Sequence, residues 1–476
     1  MLPMRASEIA AAVGGTLRGD DVTVTGSVET DSRLVSAGGV FFAMPGEETD
    51  GHRFIDAAVA AGAALVVAER ALEQDVPHVL VPAGVEALGA LAAEVIRRVR
   101  EAGELTVVGV TGSNGKTTTK NMLQAILEQH GPTVTPVKSF NNEVGAPMTM
   151  LRIDASTRYL VLEMGASVEG DIERLTAMSH PDVGVVLKVG LAHAGEFGGI
   201  ETTTRAKTEM VRDLDEAGVA VLNRDDERVR GMADATRAQV RWFGTDAGPA
   251  TSPTRLWADE VDSTLEGTVA TIHRAADTGA DGAPAESWPL QMRILGEHHV
   301  MNALAALTVA DALGLPLEPA VQVLATMERA ERGRMELLEP GGGITVINDA
   351  YNASPDSTAA ALRALAHMTR QAGRRSIAVL GEMAELGPHA VEEHDRLGRQ
   401  AVRLRIDRLV VVGTGAKAIH DAAELESSFG QETTFVETAA EAEALLRSEL
   451  VSGDVVLFKS SNVSGLQALA ERIGGP

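Results

Sequence analysis

Gly109-Val-Thr-Gly-Ser-Asn-Gly-Lys-Thr-Thr-Thr-Lys120 decides how this chain folds. Ahead of it runs an apolar, β-branched stretch, Leu105 to Val110, that reads as a buried strand. Behind it, Thr117 to His130 reads as a helix with Met122, Leu123, Ile126 and Leu127 on one face. Strand, glycine-rich turn, Lys-Thr and helix together make a phosphate-binding loop. Backbone N–H groups bared by Gly112 and Gly115 converge on the helix N-terminus, where the dipole also favours anions. Lys116 offers a charge to the β/γ-phosphates, and Thr117 offers a hydroxyl to Mg²⁺. Val110 stands where the usual pattern starts with glycine, so the strand and helix carry part of the argument. The chain is expected to bind a nucleoside triphosphate.

Composition narrows the rest. At 476 residues the chain exceeds one ordinary core, and two or three domains are expected. A net charge of −25 argues against nucleic acid and against an anionic membrane, so any polyanionic substrate needs locally placed Lys, Arg and helix N-termini. The absence of cysteine excludes disulfides, thiol catalysis and Cys-ligated zinc. The opening MLPMRASEIAAAVGG reads as a short helix capped by Ser7 and stopped at Gly14-Gly15, not as a leader. No apolar run reaches the roughly 18 residues that a spanning helix needs. The expectation is a cytoplasmic protein with no stable membrane insertion.

Residues 1–85 alternate short strands and helices, and a helix from Val85 to Arg100 leads into the phosphate-loop strand. From Leu105 to about Arg332 the pattern is βα repeats, with strands at Tyr159–Leu162, Val183–Val189 and Val219–Leu222, which implies a parallel sheet covered on both faces. Gly244 to Trp288 breaks that pattern and reads as an antiparallel appendage with a loose TGADGAPAES loop. A second βα series begins at Gly333: GITVIND, RSIAVLGE, RLVVVGTG, TTFVE and VVLFKSS. The expected division is 1–85, 86–332 and 333–476, with the hinge at Glu331-Arg-Gly-Arg334. Glycine at 333 can absorb the dihedral change that closure requires.

In open α/β sheets ligands bind at the C-terminal edges of the strands. Lys116, Glu163 at the end of RYLVLE, and His193 after VVLKVGLAH all fall on such edges. Three in one domain favour metal and phosphate chemistry, with Glu163 in the role an Asp often takes in holding Mg²⁺.

Further motifs occur in a telling order: SFNNEVGAP, LEMGAS, VGLAHAGEFG, AKTEM, GEHHVMNALAA, NDAYNASP and GEMAELG, preceded by DSRLVSAGGVFFAMPGEETDGH. With the phosphate loop, they resemble the Mur ligases over roughly residues 27 to 465. The resemblance implies a three-domain α/β architecture: a small N-terminal α/β UDP-binding domain, a central P-loop parallel-sheet ATPase domain with an antiparallel appendage, and a C-terminal dinucleotide-fold-like domain. It also implies an ATP-dependent, ADP-forming amide ligase of peptidoglycan biosynthesis that works through an acyl phosphate. FNNEVGAP, DAYNASP and GEMAELG point to the member joining D-alanyl-D-alanine to a UDP-muramoyl-tripeptide; the Asp-Asn-Pro-Arg signature of the diaminopimelate-adding sibling is absent. The alternatives are that sibling, a lysine-adding one, or a folylpolyglutamate-type ligase.

The resemblance also assigns residues. Gly112 to Thr118 would wrap the ATP phosphates, while Thr117, Glu163, His193 and a carbamylated Lys207 would hold two Mg²⁺ ions. His298 and Asn302 resemble the adenine-contacting pair. Arg334 and Asp349 resemble the phosphate arginine and the ribose aspartate, with Asn352 beside them. Ser32 and Arg33 match the uridine-diphosphate contacts, and Asn141 and Asn142 would face the acceptor. Lys116, Lys207, His193 and Arg334 would carry catalysis, and the protein is expected to act as a monomer on small molecules. Three departures stand out: His299 where Asn is usual, Thr208 where Gly is frequent, and Lys459-Ser-Ser-Asn462 for a Lys-Gly-Ser-Arg-like run.

One rival comes from another class. VVVGTGAKA, residues 410–418, is a G-x-G-x-x-A turn after a strand, with Glu437 ending the next strand, as in an NAD-linked oxidoreductase. A second is a P-loop switch, but the chain has no N-K-x-D guanine motif.

Overall fold

The computed structural model describes residues 2–46, 49–137, 139–190, 199–249, 252–276, 284–329, 331–339, 341–427 and 432–475. His193 and most of the expected TGADGAPAES loop lie outside them. Three larger sheets organise the chain as an α/β protein.

The N-terminal sheet runs, in spatial order, Thr16–Arg18, His78–Leu80, Ala63–Ala68, Gly39–Ala43 and Val28–Glu29. Only the first pairing is antiparallel. The helix Gly84–Ala102 buries Leu88, Leu91, Val95 and Val99 in one cluster that also takes Phe42 and Leu65 from this sheet and Leu160 from the next. That shared apolar face fixes the first body against the second. The opening helix spans Ala6–Ala12 and is capped from Arg5, with Glu8 reaching back to the Arg5 N–H at 2.8 Å. Ser7 is therefore inside the helix and not its cap; its hydroxyl is drawn off to Asp21.

The central sheet has nine strands. Thr106–Thr111 lies between Val183–Val186 and Tyr159–Glu163, and Thr133–Val134 forms one edge. On the other side follow Val219–Asn223, Gln239–Gly244, Thr254–Thr264, Gly267–Ala275 and Pro284–Met292. Pairing is parallel as far as Thr254–Thr264, and the last two strands are antiparallel. The expected appendage thus continues the sheet edge to edge, and Pro284–Ser287 belongs to a strand where a loop was expected. The chain leaves Thr106–Thr111 toward one edge and later returns on its other side, so the phosphate loop sits at a topological switch point. The Val183 strand stops at Val186, short of the expected Val189. Beyond it the chain turns across the phosphate loop, where Lys188 O accepts from Ser113 N at 2.8 Å.

The C-terminal sheet orders Thr345–Asp349, Val455–Lys459, Ser376–Leu380, Arg408–Val412 and Thr433–Val436 in parallel, with Glu336–Leu338 antiparallel at the edge. The helix Pro355–Ala372 packs against the Thr254–Thr264 strand. At that contact Asp262 accepts from Gln371 at 3.0 Å and pairs with His367 Nε2 at 2.7 Å. The linking segment is held as well: Asn121 Nδ2 donates to Glu331 Oε2 at 2.9 Å, and Gly333 adopts φ +66°.

Candidate active site

The phosphate loop closes over a narrow space. Gly115, at φ +88°, caps the helix Lys116–Leu127, and a Cβ there would overlap Asn302 Oδ1. Glycine is needed for both the backbone conformation and the close approach. The Ser113 hydroxyl accepts from Gly190 N at 2.8 Å, tying the loop to the turn after Val186. Lys116 Nζ lies 2.8 Å from Gly112 O, folded along the loop it serves. Burial, reinforced by Arg334, lowers its pKa, and the Glu163 carboxylate pulls the other way.

Beside the loop is an oxygen-rich corner. Thr117 Oγ1 donates to Glu163 Oε2 at 3.0 Å, and Asn141 Nδ2 donates to Glu163 Oε1 at 3.1 Å. Asn141 therefore aims the carboxylate. Asn142 Oδ1 accepts from Gly145 N at 2.8 Å and steadies the next helix. Both asparagines, Lys116, Arg174 and Lys207 line one cavity of about 120 Å³. Lys207 is 4% exposed in the helix Ile200–Arg212. Burial first, then the Lys116 ammonium, push its pKa down to about 7. Two residues on, Glu209 accepts from Gly170 N at 2.7 Å and Glu173 N at 2.9 Å, clamping the first turn of Asp171–Ser179 onto the lysine helix.

The C-terminal sheet presents its own strand ends to the same cleft. Asp349 and Lys459 are register partners on adjacent strands. Lys459 Nζ pairs with Asp349 Oδ2 at 2.8 Å and donates to Asn352 O at 2.8 Å. Burial and Arg334 depress the Lys459 pKa, opposed by Asp349. The Arg334 guanidinium lies 4.9 Å from the Tyr351 ring centroid. Arg334, Asp349 and Lys459 line a cavity of about 130 Å³ with Asn114, Gly115, Thr118, His298 and Asn302. A second cavity, about 330 Å³, continues past Asn114, His298 and Asn302 to Phe243, Met301, Asn223 and Asp225. The two cavities share Asn114, Gly115, Lys188, His298 and Asn302, with the apolar wall of Phe243 and Met301 on one side and Asp349, Arg334 and Lys459 on the other. Together they form a channel with the size and order of groups that a purine nucleotide requires.

The structure gathers most of the expected residues. Asn114, Gly115, Thr118, His298, Asn302, Arg334 and Asp349 border the nucleotide channel, Gly112, Ser113, Lys116 and Lys207 line the neighbouring cavity, and Thr117 bonds Glu163 beside the loop. Asn352 contributes its carbonyl through Lys459. Ser32 and Arg33 lie apart, in the N-terminal body, where Arg33 holds Asp31 in a two-pronged pair. Lys459, Glu209 and the Phe243 wall were missed. Lys459 ends an apolar strand just as Glu163 does, so the same signal marked it. The oxidoreductase fingerprint fails on geometry: a Cβ at Gly415 would strike the Glu382 carboxylate. An anion therefore already covers the place a pyrophosphate would need.

Three sequence profiles match the chain: "Mur ligase family, catalytic domain" over residues 25–102, "Mur ligase middle domain" over 110–310, and "Mur ligase, glutamate ligase domain" over 333–462. The chain is 42% identical to UDP-N-acetylmuramoyl-tripeptide–D-alanyl-D-alanine ligase of Mycobacterium leprae, across 100% of this chain and 99% of that protein. It is 31% identical to the Escherichia coli K12 protein of the same name, across 92% of each. Among solved structures, MurF from Acinetobacter baumannii superposes with a TM-score of 0.87 at 30% identity, covering 100% of this chain and 99% of that one. MurF ligase from Thermotoga maritima in complex with ADP gives 0.79 at 28% identity, over 94% and 98%. The chain belongs to the Mur ligase family, and its fold is the three-domain α/β architecture of that family.

Proposed function

We propose that the protein is an ATP-dependent, ADP-forming ligase that joins D-alanyl-D-alanine to UDP-N-acetylmuramoyl-tripeptide in peptidoglycan biosynthesis. The observation that carries this reading is the meeting of two strand edges at one cleft: Asn114, Gly115 and Thr118 of the phosphate loop on one side, Arg334, Asp349 and Lys459 on the other. A carboxylate is a poor electrophile. Transfer of the γ-phosphoryl group to a carboxylate oxygen gives an acyl phosphate and ADP. The amine then attacks the carbonyl carbon, the C–O bond to phosphate breaks, and the nitrogen loses a proton to leave the amide. Such transfers need positioning and charge neutralisation more than covalent help. Lys116 and Arg334 neutralise the phosphates, Asp349 accepts from the ribose, and the Phe243 cavity takes the base.

The Thr117 hydroxyl and Glu163 carboxylate are hard oxygen donors that suit Mg²⁺. When bound, that ion neutralises phosphate charge; His193, outside the described residues, belongs to the same reading. Lys207 completes the site as a carbamate, since its neutral amine and CO₂ give a carboxylate and a proton. Its burial and a pKa near the neutral range support this. Asn141 and Asn142 face the acceptor. Ser32 and Arg33 take the uridine diphosphate, beside a cavity of about 570 Å³ between Val28, Leu34, Phe140 and Met148. The three domains divide near residues 85 and 332. The enzyme acts as a monomer on small molecules in the cytoplasm, a reading consistent with its use of ATP. No described helix is long and apolar enough to cross a membrane.

A co-substrate panel tests the reading. ADP release is expected only when UDP-muramoyl-tripeptide and D-alanyl-D-alanine are both present, while D-alanine, diaminopimelate and glutamate fail as amines. Faster turnover with diaminopimelate and UDP-muramoyl-dipeptide would move the assignment to the sibling ligase.

A further inference from the structure

His299 replaces the asparagine usual at its position, and nothing above gives it a task. Its ring is 3% exposed, in the first turn of the helix His298–Ala312. Two neighbours fix its hydrogen-bonding state. The Thr119 hydroxyl donates to Asn302 Oδ1 at 3.4 Å, which turns Asn302 Nδ2 toward His299 Nδ1, 3.3 Å away. An amide NH₂ donates and cannot accept, so Nδ1 is the acceptor and the ring proton resides on Nε2. Burial, with His298, Arg334 and Lys459 nearby, keeps the ring neutral by holding its pKa well below the ordinary value. Nε2 is buried and has no hydrogen-bond partner among the described residues. His299 lines the cavity of Thr118, Arg334, Asp349 and Lys459 and not the base-side cavity, while His298 and Asn302 line both.

We infer that His299 donates its Nε2–H to an oxygen of the nucleotide's ribose–α-phosphate stretch. The inference rests on the ATP-binding reading above. Asp349 and His299 form a complementary pair there: a carboxylate that can only accept and a neutral ring nitrogen that can only donate. A neutral donor suits this place, because Arg334, Lys459 and Lys188 already supply positive charge and a further cation would be repelled.

The test uses full-length wild type, His299→Leu and His299→Asn. Calorimetry measures ADP affinity, competition measures adenosine, and melting is followed without ligand. His299→Leu should weaken ADP binding about fivefold to tenfold, the scale of one lost hydrogen bond. Its ligand-free melting temperature should change little, because leucine removes one unpaired buried donor, His299 Nε2–H, and leaves another, Asn302 Nδ2, without its acceptor. His299→Asn keeps a donor and should stay within about threefold of wild type for ADP. Equal loss for adenosine and ADP places the acceptor on the ribose; loss for ADP alone places it on the phosphate. The inference is overturned if His299→Leu binds ADP as wild type does. It is equally overturned if both variants melt lower and lose affinity alike, the mark of a packing role. Failure of wild type to bind ADP would remove the nucleotide reading too, whereas tight binding by wild type and His299→Leu alike removes this inference alone.

Discussion

The Ser354 hydroxyl donates to Asn114 Oδ1 across 3.2 Å, joining the C-terminal body to the phosphate loop over 240 residues of sequence. The two bodies are therefore in contact at the nucleotide channel itself. In the proposed function, ATP touching Arg334 and Asp349 as well as the phosphate loop would favour this arrangement.

Arg334→Ala should reduce kcat by about a hundredfold or more, the scale of a lost electrostatic stabiliser, while ATP affinity falls by less. Initial rates and equilibrium binding separate the two effects. A kcat within about threefold of wild type would make Arg334 an ordinary linker residue. X-ray scattering should show a smaller radius of gyration with the full ligand set than without it; no change would remove closure from the mechanism.

Lys116→Ala should lower kcat by roughly 10²–10⁴-fold with the fold intact. Circular dichroism and single-turnover ADP formation check both halves of that statement. Near-normal phosphoryl transfer would mean that the loop N–H groups and Arg334 suffice.

Lys207→Ala should be almost inactive, with partial recovery when a small carboxylate such as formate is added. Wild-type activity should fall in CO₂-free buffer and return with bicarbonate. Only the neutral amine reacts with CO₂, and with a pKa of about 7 its share grows as pH rises through that value. Reactivation should therefore be faster at pH 8 than at pH 6. Full activity of the alanine variant without added carboxylate would reject the carbamate.

The same depressed pKa bears on stability. The unfolded chain holds the Lys207 proton up to its ordinary value near 10.4, the folded chain only to about 7. Burial of the charge therefore costs most below pH 7, and the cost fades as pH rises between the two values. In ligand-free, CO₂-free buffer, Lys207→Met should raise the melting temperature more at pH 6 than at pH 9. A pH-independent difference would contradict this.

Glu209→Ala should destabilise the protein by about 2 kcal/mol, since two N–H groups lose an ionised acceptor. The freed first turn of Asp171–Ser179 borders the cavity with Lys207 and Arg174, so KM for the muramoyl substrate should rise. Chemical denaturation and steady-state kinetics read the two effects separately.

The phosphate loop, the parallel strands and the strand-end carboxylate were legible because each depends on local pattern: apolar runs, glycines at fixed offsets, helical spacing. Glu209 was not, because it acts 36 residues away and looks like any helix acid on paper. Lys459 was legible by position but was passed over for the unusual Ser-Ser-Asn that follows it. The Pro284–Ser287 strand was hidden by a turn-like composition that pairing with Arg274 and His273 overrides. The Ser7 cap failed because Asp21, a partner from outside the helix, claims the hydroxyl.

Two of the fastenings that hold the C-terminal body act as pins. One is the Glu331 segment with its bond from Asn121, and the other is Asp262 against His367 and Gln371. An object pinned at two points keeps a single easy swing, about the line through the pins, and resists every slide and twist. The bond from Ser354 to Asn114 then works as the latch of that swing. Cutting the Asp262 pin would leave the latch intact but let the door arrive crooked, a fault that would show as slow, scattered turnover in an enzyme that still binds every substrate.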